Sequence, residues 1–160
     1  MLLPALALSA GLLAAAPASA FDFFDVARRA KELAGEKYKA PTSQLPKELR
    51  DLKYAEYQQI QPKRDKYLWA DGRTAFQIAF HHQGMAFDLP VKINEIDAEG
   101  VREIKYDPAD FDFGPRQVDA KLLRGLGFAG FRVLYPLNDP AKRDDELASF
   151  LGASYFRVVG

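Results

Sequence analysis

The sequence predicts a mainly β domain preceded by a short N-terminal helix. Three observations carry that expectation. From residue 74 onward, apolar side chains recur at alternate positions, the period of a half-buried strand. Glycine and proline punctuate those runs at short intervals. A helical period appears earlier, in the stretch that begins at Phe21. The 12 Phe and 7 Tyr suit a β-rich core, and they suit a sugar-binding groove equally well.

The chain opens with MLLPALALSAGLLAAAPASA, which is uncharged and ends in the small-x-small site Ala18-Ser19-Ala20. That is the layout of a secretory signal peptide. A membrane anchor fits less well, because Pro17 interrupts the apolar run and no basic cluster follows it. Residues 1–20 are therefore set aside as a signal, and the mature chain is expected to begin at Phe21, with no stable membrane insertion.

The elements follow in order. FDFFDVARRAKELAGEKY reads as a helix, with Asp22 as the cap and Asp25 in the first turn. Val26, Ala27, Ala30, Leu33 and Ala34 line one face, and Gly35 stands where a helix-ending glycine belongs. APTSQLPKEL is a linker leading into a short helix with Pro46 near its first turn. RDLKYAEYQQIQPK fits either a helix or a strand. TAFQIAFHH alternates, with Phe76, Ile78 and Phe80 on one face and Gln77, Ala79 and His81 on the other. Gln83-Gly84 reads as a hairpin turn, with MAFDLP returning. VKINEID and VREIKYD form two strands around the turn AEG. VDAKLLRGL is a short helix or a loop, FRVLYPL a strand, DELASFL a short helix or a strand, and SYFRVVG a last strand.

Lys and Arg number 22 and Asp and Glu also 22, so no charge excess points to nucleic acid or to an anionic membrane. There is no cysteine, which excludes thiolate metal sites and cysteine nucleophiles and fits an exported protein that is stable without disulfides.

The stretch Gly125-Leu126-Gly127-Phe128-Ala129-Gly130 matches the G-x-G-x-x-G fingerprint of a dinucleotide-binding turn. That fingerprint works between a strand and a following helix. Here a charged helix or loop comes first and a strand follows. The glycines are expected instead to make a turn or bulge into FRVLYPL, with strain on substitution wherever φ is positive. No cofactor is expected.

Candidate chemistry is sparse. His81 and His82 are neighbours on a strand and point to opposite faces, so no shared metal is expected. Asp107, Asp110 and Asp112 could offer two carboxylates on one extended face, an acid/base pair for glycoside hydrolysis, but turn-forming aspartates are the favoured reading. No catalytic residue is assigned. Tyr135, Tyr155 and Arg157 are the candidate substrate-binding residues. Alternation puts Tyr155 and Arg157 on one face of the last strand and Phe156 on the other, and an aromatic ring beside a guanidinium suits a polar ligand. The alternative, a packed tyrosine beside a salt-bridged arginine, stays open.

Taken together, DLKYAEYQQIQ, FHHQGMAFDLPVKINEI, REIKYDPADFDFG, LGFAGFRVLYPLN and FLGASYFRVVG closely resemble the MdoG/OpgG family of periplasmic glucan biosynthesis proteins. The resemblance runs in order from Phe21 to Gly160. It implies a galactose-mutarotase-like β-sandwich, of which residues 21–160 would be an incomplete N-terminal portion, followed in the family by an immunoglobulin-like domain that is missing here. It implies a periplasmic role in making osmoregulated glucans with a β-1,2-linked glucose backbone. The β-glucan chain is then the expected ligand and the inner-membrane glucan synthase a possible partner. The activity would be that of a β-1,2-glucan-acting hydrolase or transglycosylase with its catalytic acids beyond Gly160, or that of a non-catalytic glucan-binding partner of the synthase. A partial sandwich leaves apolar faces and edges uncovered, so residues 21–160 alone are expected to fold poorly.

Overall fold

The computed structural model describes residues 21–152 and 154–160. The expected signal peptide lies outside them. Three short helices come first: α1 (Phe23–Gly35), α2 (Lys47–Arg50) and α3 (Tyr54–Tyr57). Eight strands follow: β1 (Gln61–Pro62), β2 (Gln77–His82), β3 (Asn94–Asp97), β4 (Gly100–Glu103), β5 (Phe111–Asp112), β6 (Phe128–Tyr135), β7 (Asp145–Leu151) and β8 (Tyr155–Val158). The chain is mainly β and antiparallel throughout, with the expected helix at its start.

Helix α1 begins with a capping box. Asp22 Oδ1 accepts from the amides of Phe24 and Asp25, and Asp25 Oδ2 accepts from the Asp22 amide. Its apolar face is not buried; Val26 and Leu33 are both about half exposed. Gly35 is the last helical residue, and extended Glu36 is the cap, so the helix stops without a left-handed glycine. The ambiguous segment contains both predicted forms, α3 and then β1.

The main sheet has the order β2-β6-β7-β8. Two-residue alternation sorts its side chains. Ile78, Phe80, Phe131, Phe150 and Phe156 share one face, where Phe131–Phe150 and Phe150–Phe156 stack with ring centroids 4.9 and 6.3 Å apart. His81, Arg132, Ser149, Tyr155 and Arg157 share the other. Leu151 pairs with Tyr155 across a tight connection that Gly152 enters at φ +62°, a conformation that favours glycine.

One chain segment differs from expectation. MAFDLP does not return as a hairpin strand. Gly84 and Phe87 bond to each other across a tight turn, and β2 takes β6 as its partner. The Gln83 side chain helps hold it there: its Nε2 donates to Asp88 O (2.9 Å), and its Oε1 accepts from Gly127 N (2.7 Å), while Met85 N donates to Leu49 O (2.9 Å). VDAKLLRGL takes the loop form of its two expected alternatives, as a run of turns.

Those contacts also explain the glycines. Strand β6 begins inside GLGFAG, and Ala129 is the extra residue of a bulge, since Gly130 faces His81 while Phe128 faces His82. A Cβ on Gly130 would lie 2.0 Å from Phe150 O, and one on Gly127 would lie 2.7 Å from Pro90 Cβ. The reason for glycine at both positions is therefore close approach. Positive φ operates at Gly125 (+78°), where the space around a Cβ is open.

The core gathers Leu45, Leu49, Ile60, Phe80, Phe111 and Phe128 with their buried neighbours. His82 is buried among aromatic rings, with Phe111 and Phe113 edge-on at 5.0 and 5.2 Å. Trp69 has φ +63°, costly for a bulky side chain at about 1–3 kcal/mol. Arg143 holds that loop, donating to the carbonyls of Ala70 and Thr74 at 3.0 Å and reaching Trp69 O at 3.5 Å.

Candidate functional site

A pocket of about 380 Å³ opens on the polar face of the main sheet. Its volume is in the range of small-molecule sites, about 300–1,000 Å³. Strand β8 supplies Tyr155 and Arg157, β7 supplies Glu146 and Ser149, β6 supplies Arg132, and β2 supplies His81. The opposite wall is α3 and the chain running into β1, with Tyr54, Tyr57, Gln58 and Gln61. The register explains the sheet side of this list. Arg132, Ser149 and Arg157 are direct cross-strand neighbours, as are Gly130, Leu151 and Tyr155.

Arg157 donates through Nε and Nη2 to Glu146 Oε1, at 2.9 and 2.5 Å. A guanidinium has five N–H donors, so this pairing leaves three others to a ligand. Both partners keep solvent access, so the pair itself adds little stability. Arg132 Nη2 donates to Gln61 Oε1 across the pocket at 3.2 Å, while its Nε–H is buried without an acceptor. At the base, His81 Nε2 lies 3.1 Å from the buried Ser149 hydroxyl. Burial, reinforced by Arg132, pushes the His81 pKa down to about 4, so its ring is neutral at physiological pH. The Tyr57 hydroxyl donates to His82 O at 2.7 Å, and burial raises its pKa to about 12. Tyr54 and Tyr155 present well-exposed rings at the mouth.

The pocket thus offers aromatic surface, two guanidinium groups, one carboxylate and neutral amide, hydroxyl and imidazole groups. One positive charge is in excess, and the aromatic surface with its many hydrogen-bonding groups suits a polyhydroxylated ligand. The pocket brings Tyr155 and Arg157 together with each other but not with Tyr135. Tyr135 is three residues beyond Arg132 on β6, about 10 Å along the strand. Its ring packs on Phe76 at 4.8 Å instead. The remaining aspartates do other work. Asp107 and Asp112 accept from amides two residues on, and Asp110 lies 3.6 Å from Lys66.

Sequence reasoning missed Tyr54, Gln58, Gln61, Arg132, Glu146 and Ser149. Alternation in FRVLYPL already separated Arg132 from Phe131 and Val133; the facing wall left no local signal, because Gln61 meets Arg132 across 71 residues of chain.

Residues 21–160 match the family described as periplasmic glucan biosynthesis protein, MdoG. The chain belongs to this family. MdoG relatives named glucans biosynthesis protein G are similar over most of it. That of Pseudomonas entomophila is 56% identical over 150 residues, covering 94% of this chain and 26% of the relative. That of Pseudomonas syringae pv. tomato is 57% identical over 141 residues, covering 88% and 22%. That of Pectobacterium atrosepticum is 55% identical over 146 residues, covering 91% and 28%. This MdoG chain therefore spans about a quarter of the length of these curated relatives. Among its described residues, no helix is long and apolar enough to cross a membrane.

Proposed function

We propose that the protein serves periplasmic glucan biosynthesis, and that the pocket beneath Tyr155 and Arg157 binds a segment of the β-1,2-linked glucan backbone. Residues 1–20 direct export and are then removed. The observation that carries the binding role is the register of β6, β7 and β8, which lines up Arg132, Ser149 and Arg157 beside exposed Tyr155. Aromatic faces take the apolar side of a sugar ring, and guanidinium N–H groups take its hydroxyl oxygens.

Hydrolysis of a glycosidic bond ordinarily uses two carboxyl groups flanking the bond. The one carboxylate lining this pocket, Glu146, is engaged by Arg157. That favours binding at this position over bond cleavage. The same binding role serves a glucan-acting enzyme whose acids lie elsewhere, or a non-catalytic partner of the membrane glucan synthase.

Calorimetric titration of the full-length protein with linear β-1,2-gluco-oligosaccharides tests the reading. Tyr155→Ala and Arg157→Ala are each expected to raise Kd about tenfold, equivalent to about 1.4 kcal/mol. Stability should change by no more than about 1 kcal/mol, since Tyr155 is exposed and the Arg157–Glu146 pair is solvent-accessible. Unchanged affinity in both variants would sink the assignment.

A further inference from the structure

A second cavity, of about 370 Å³, opens on the opposite face of the main sheet and shares no lining residue with the first. Alternation in β2 separates the two: His81 faces one and Phe80 the other. Phe80, Phe128 and Ile104 form an apolar floor. Half-buried Tyr67 and Trp69 line it as well, and Trp69 also packs against the hydrophobic core. Three carboxylates, Asp65, Asp71 and Asp110, are matched by three cations, Lys66, Arg73 and Lys105. Asp71 pairs with Arg73 at 2.8 Å, and Asp110 with Lys66 at 3.6 Å.

The charges cancel, so the cavity favours neither an anion nor a cation. Its groups suit an uncharged ligand with one apolar face and many hydroxyls. Trp69 is held in advance of any ligand. Its indole N–H donates to Glu95 Oε1 at 2.8 Å, Glu95 is paired with Arg102, and Arg143 fixes the backbone. A tryptophan at positive φ persists only where its surroundings enforce it, and such positions cluster at ligand clamps. Preorganisation of this kind lowers the entropic cost of binding.

We propose that this cavity is a second saccharide subsite. The Trp69 ring stacks on the hydrogen-bearing face of a sugar, and Asp65 and Asp71 accept hydrogens from its hydroxyls. The choice of sugar rests on the glucan reading above; the site itself does not.

The test uses the full-length protein labelled with 5-fluorotryptophan, with the Trp69 ¹⁹F resonance identified by its loss in Trp69→Phe. Titration with linear β-1,2-gluco-oligosaccharides should shift that resonance saturably in the wild type and equally in Arg157→Ala. Persistence in Arg157→Ala while calorimetry is unaffected by that substitution would retire the Tyr155 pocket and keep this one. A Trp69 resonance that stays fixed while calorimetry reports binding overturns the subsite, and so does a shift that disappears in Arg157→Ala. No response by either method overturns both readings. Should Trp69→Phe not fold, Asp65→Asn combined with Asp71→Asn gives an independent measure, because it leaves the ring in place. It should weaken binding about tenfold through lost charge-assisted hydrogen bonds, and an unchanged Kd would overturn the proposal.

Discussion

His82 is held between a carbonyl and a hydroxyl, and that pairing dictates its protonation. Nδ1 lies 2.6 Å from Gln83 O, which only accepts, so Nδ1 carries the hydrogen. Nε2 lies 2.7 Å from the Tyr106 hydroxyl and accepts from it. Burial pushes the His82 pKa from 6.5 down to about 4, because a charged ring would lose its hydration among Tyr106, Phe111 and Phe113. An unfolded chain takes up that proton near pH 6.5, and the folded one resists it until near pH 4. The stability that His82 supports is thus complete above about pH 6.5 and falls as pH drops through that window, by a total on the order of 3 kcal/mol. His81 titrates in the same direction. In the full-length protein, denaturant unfolding at pH 7 and 4.5 should show a larger loss for the wild type than for His82→Gln. An imidazole NMR titration placing His82 near 6.5 would refute the account.

At the scale of elements, the loop carrying Trp69 depends on one distant side chain. Arg143 reaches back across more than 65 residues to three of its carbonyls. Hydrogen bonds from a charged donor contribute about 1.5–3 kcal/mol each, less where they are long or exposed. Arg143→Ala should lower stability by about 2 kcal/mol and expose residues 69–74 to proteolysis; an unchanged cleavage pattern would show that the loop holds itself. The strands β2, β6 and β8 were legible because their alternation is nearly unbroken, β7 only as a helix or a strand, and the Asp22 cap because its chemistry is local. The 85–90 segment was not, since its side-chain pattern is compatible with a strand and distant partners hold it elsewhere: Gln83 bonds Asp88 and Gly127, Met85 N donates to Leu49 O, and Ser43 donates to Asp88 O. Of the candidate site, Tyr155 and Arg157 could be read from the parity of β8. Arg132, Glu146 and Ser149 required the register of the neighbouring strands, and the facing wall required knowing that α3 and β1 stand opposite Arg132, a long-range fact with no short-range trace. Tyr135 lies on the Phe131 side of β6, the face opposite Arg132, as alternation along FRVLYPL alone implies.

Across the whole molecule, the apolar side of the main sheet is well covered at β2 and open at β8. Phe80 is 8% exposed, Phe150 36% and Phe156 68% along one row of cross-strand neighbours. Residues 21–160 produced alone should therefore bind a dye such as ANS and self-associate, as uncovered sheet faces and edges do. A monomeric, dye-free segment with a reversible, cooperative melt would contradict this. The tight connection at Gly152 has a further consequence. It acts as a parity switch: because side chains alternate, adding or removing one residue between Leu151 and Tyr155 would exchange the two sides of β8. Phe156 would then enter the polar pocket, and Tyr155 and Arg157 would be turned onto the phenylalanine row. Substitutions in that connection are graded in effect, whereas a change of length by one is all-or-none. A change by two would restore the original faces and only slide the binding pair along the sheet.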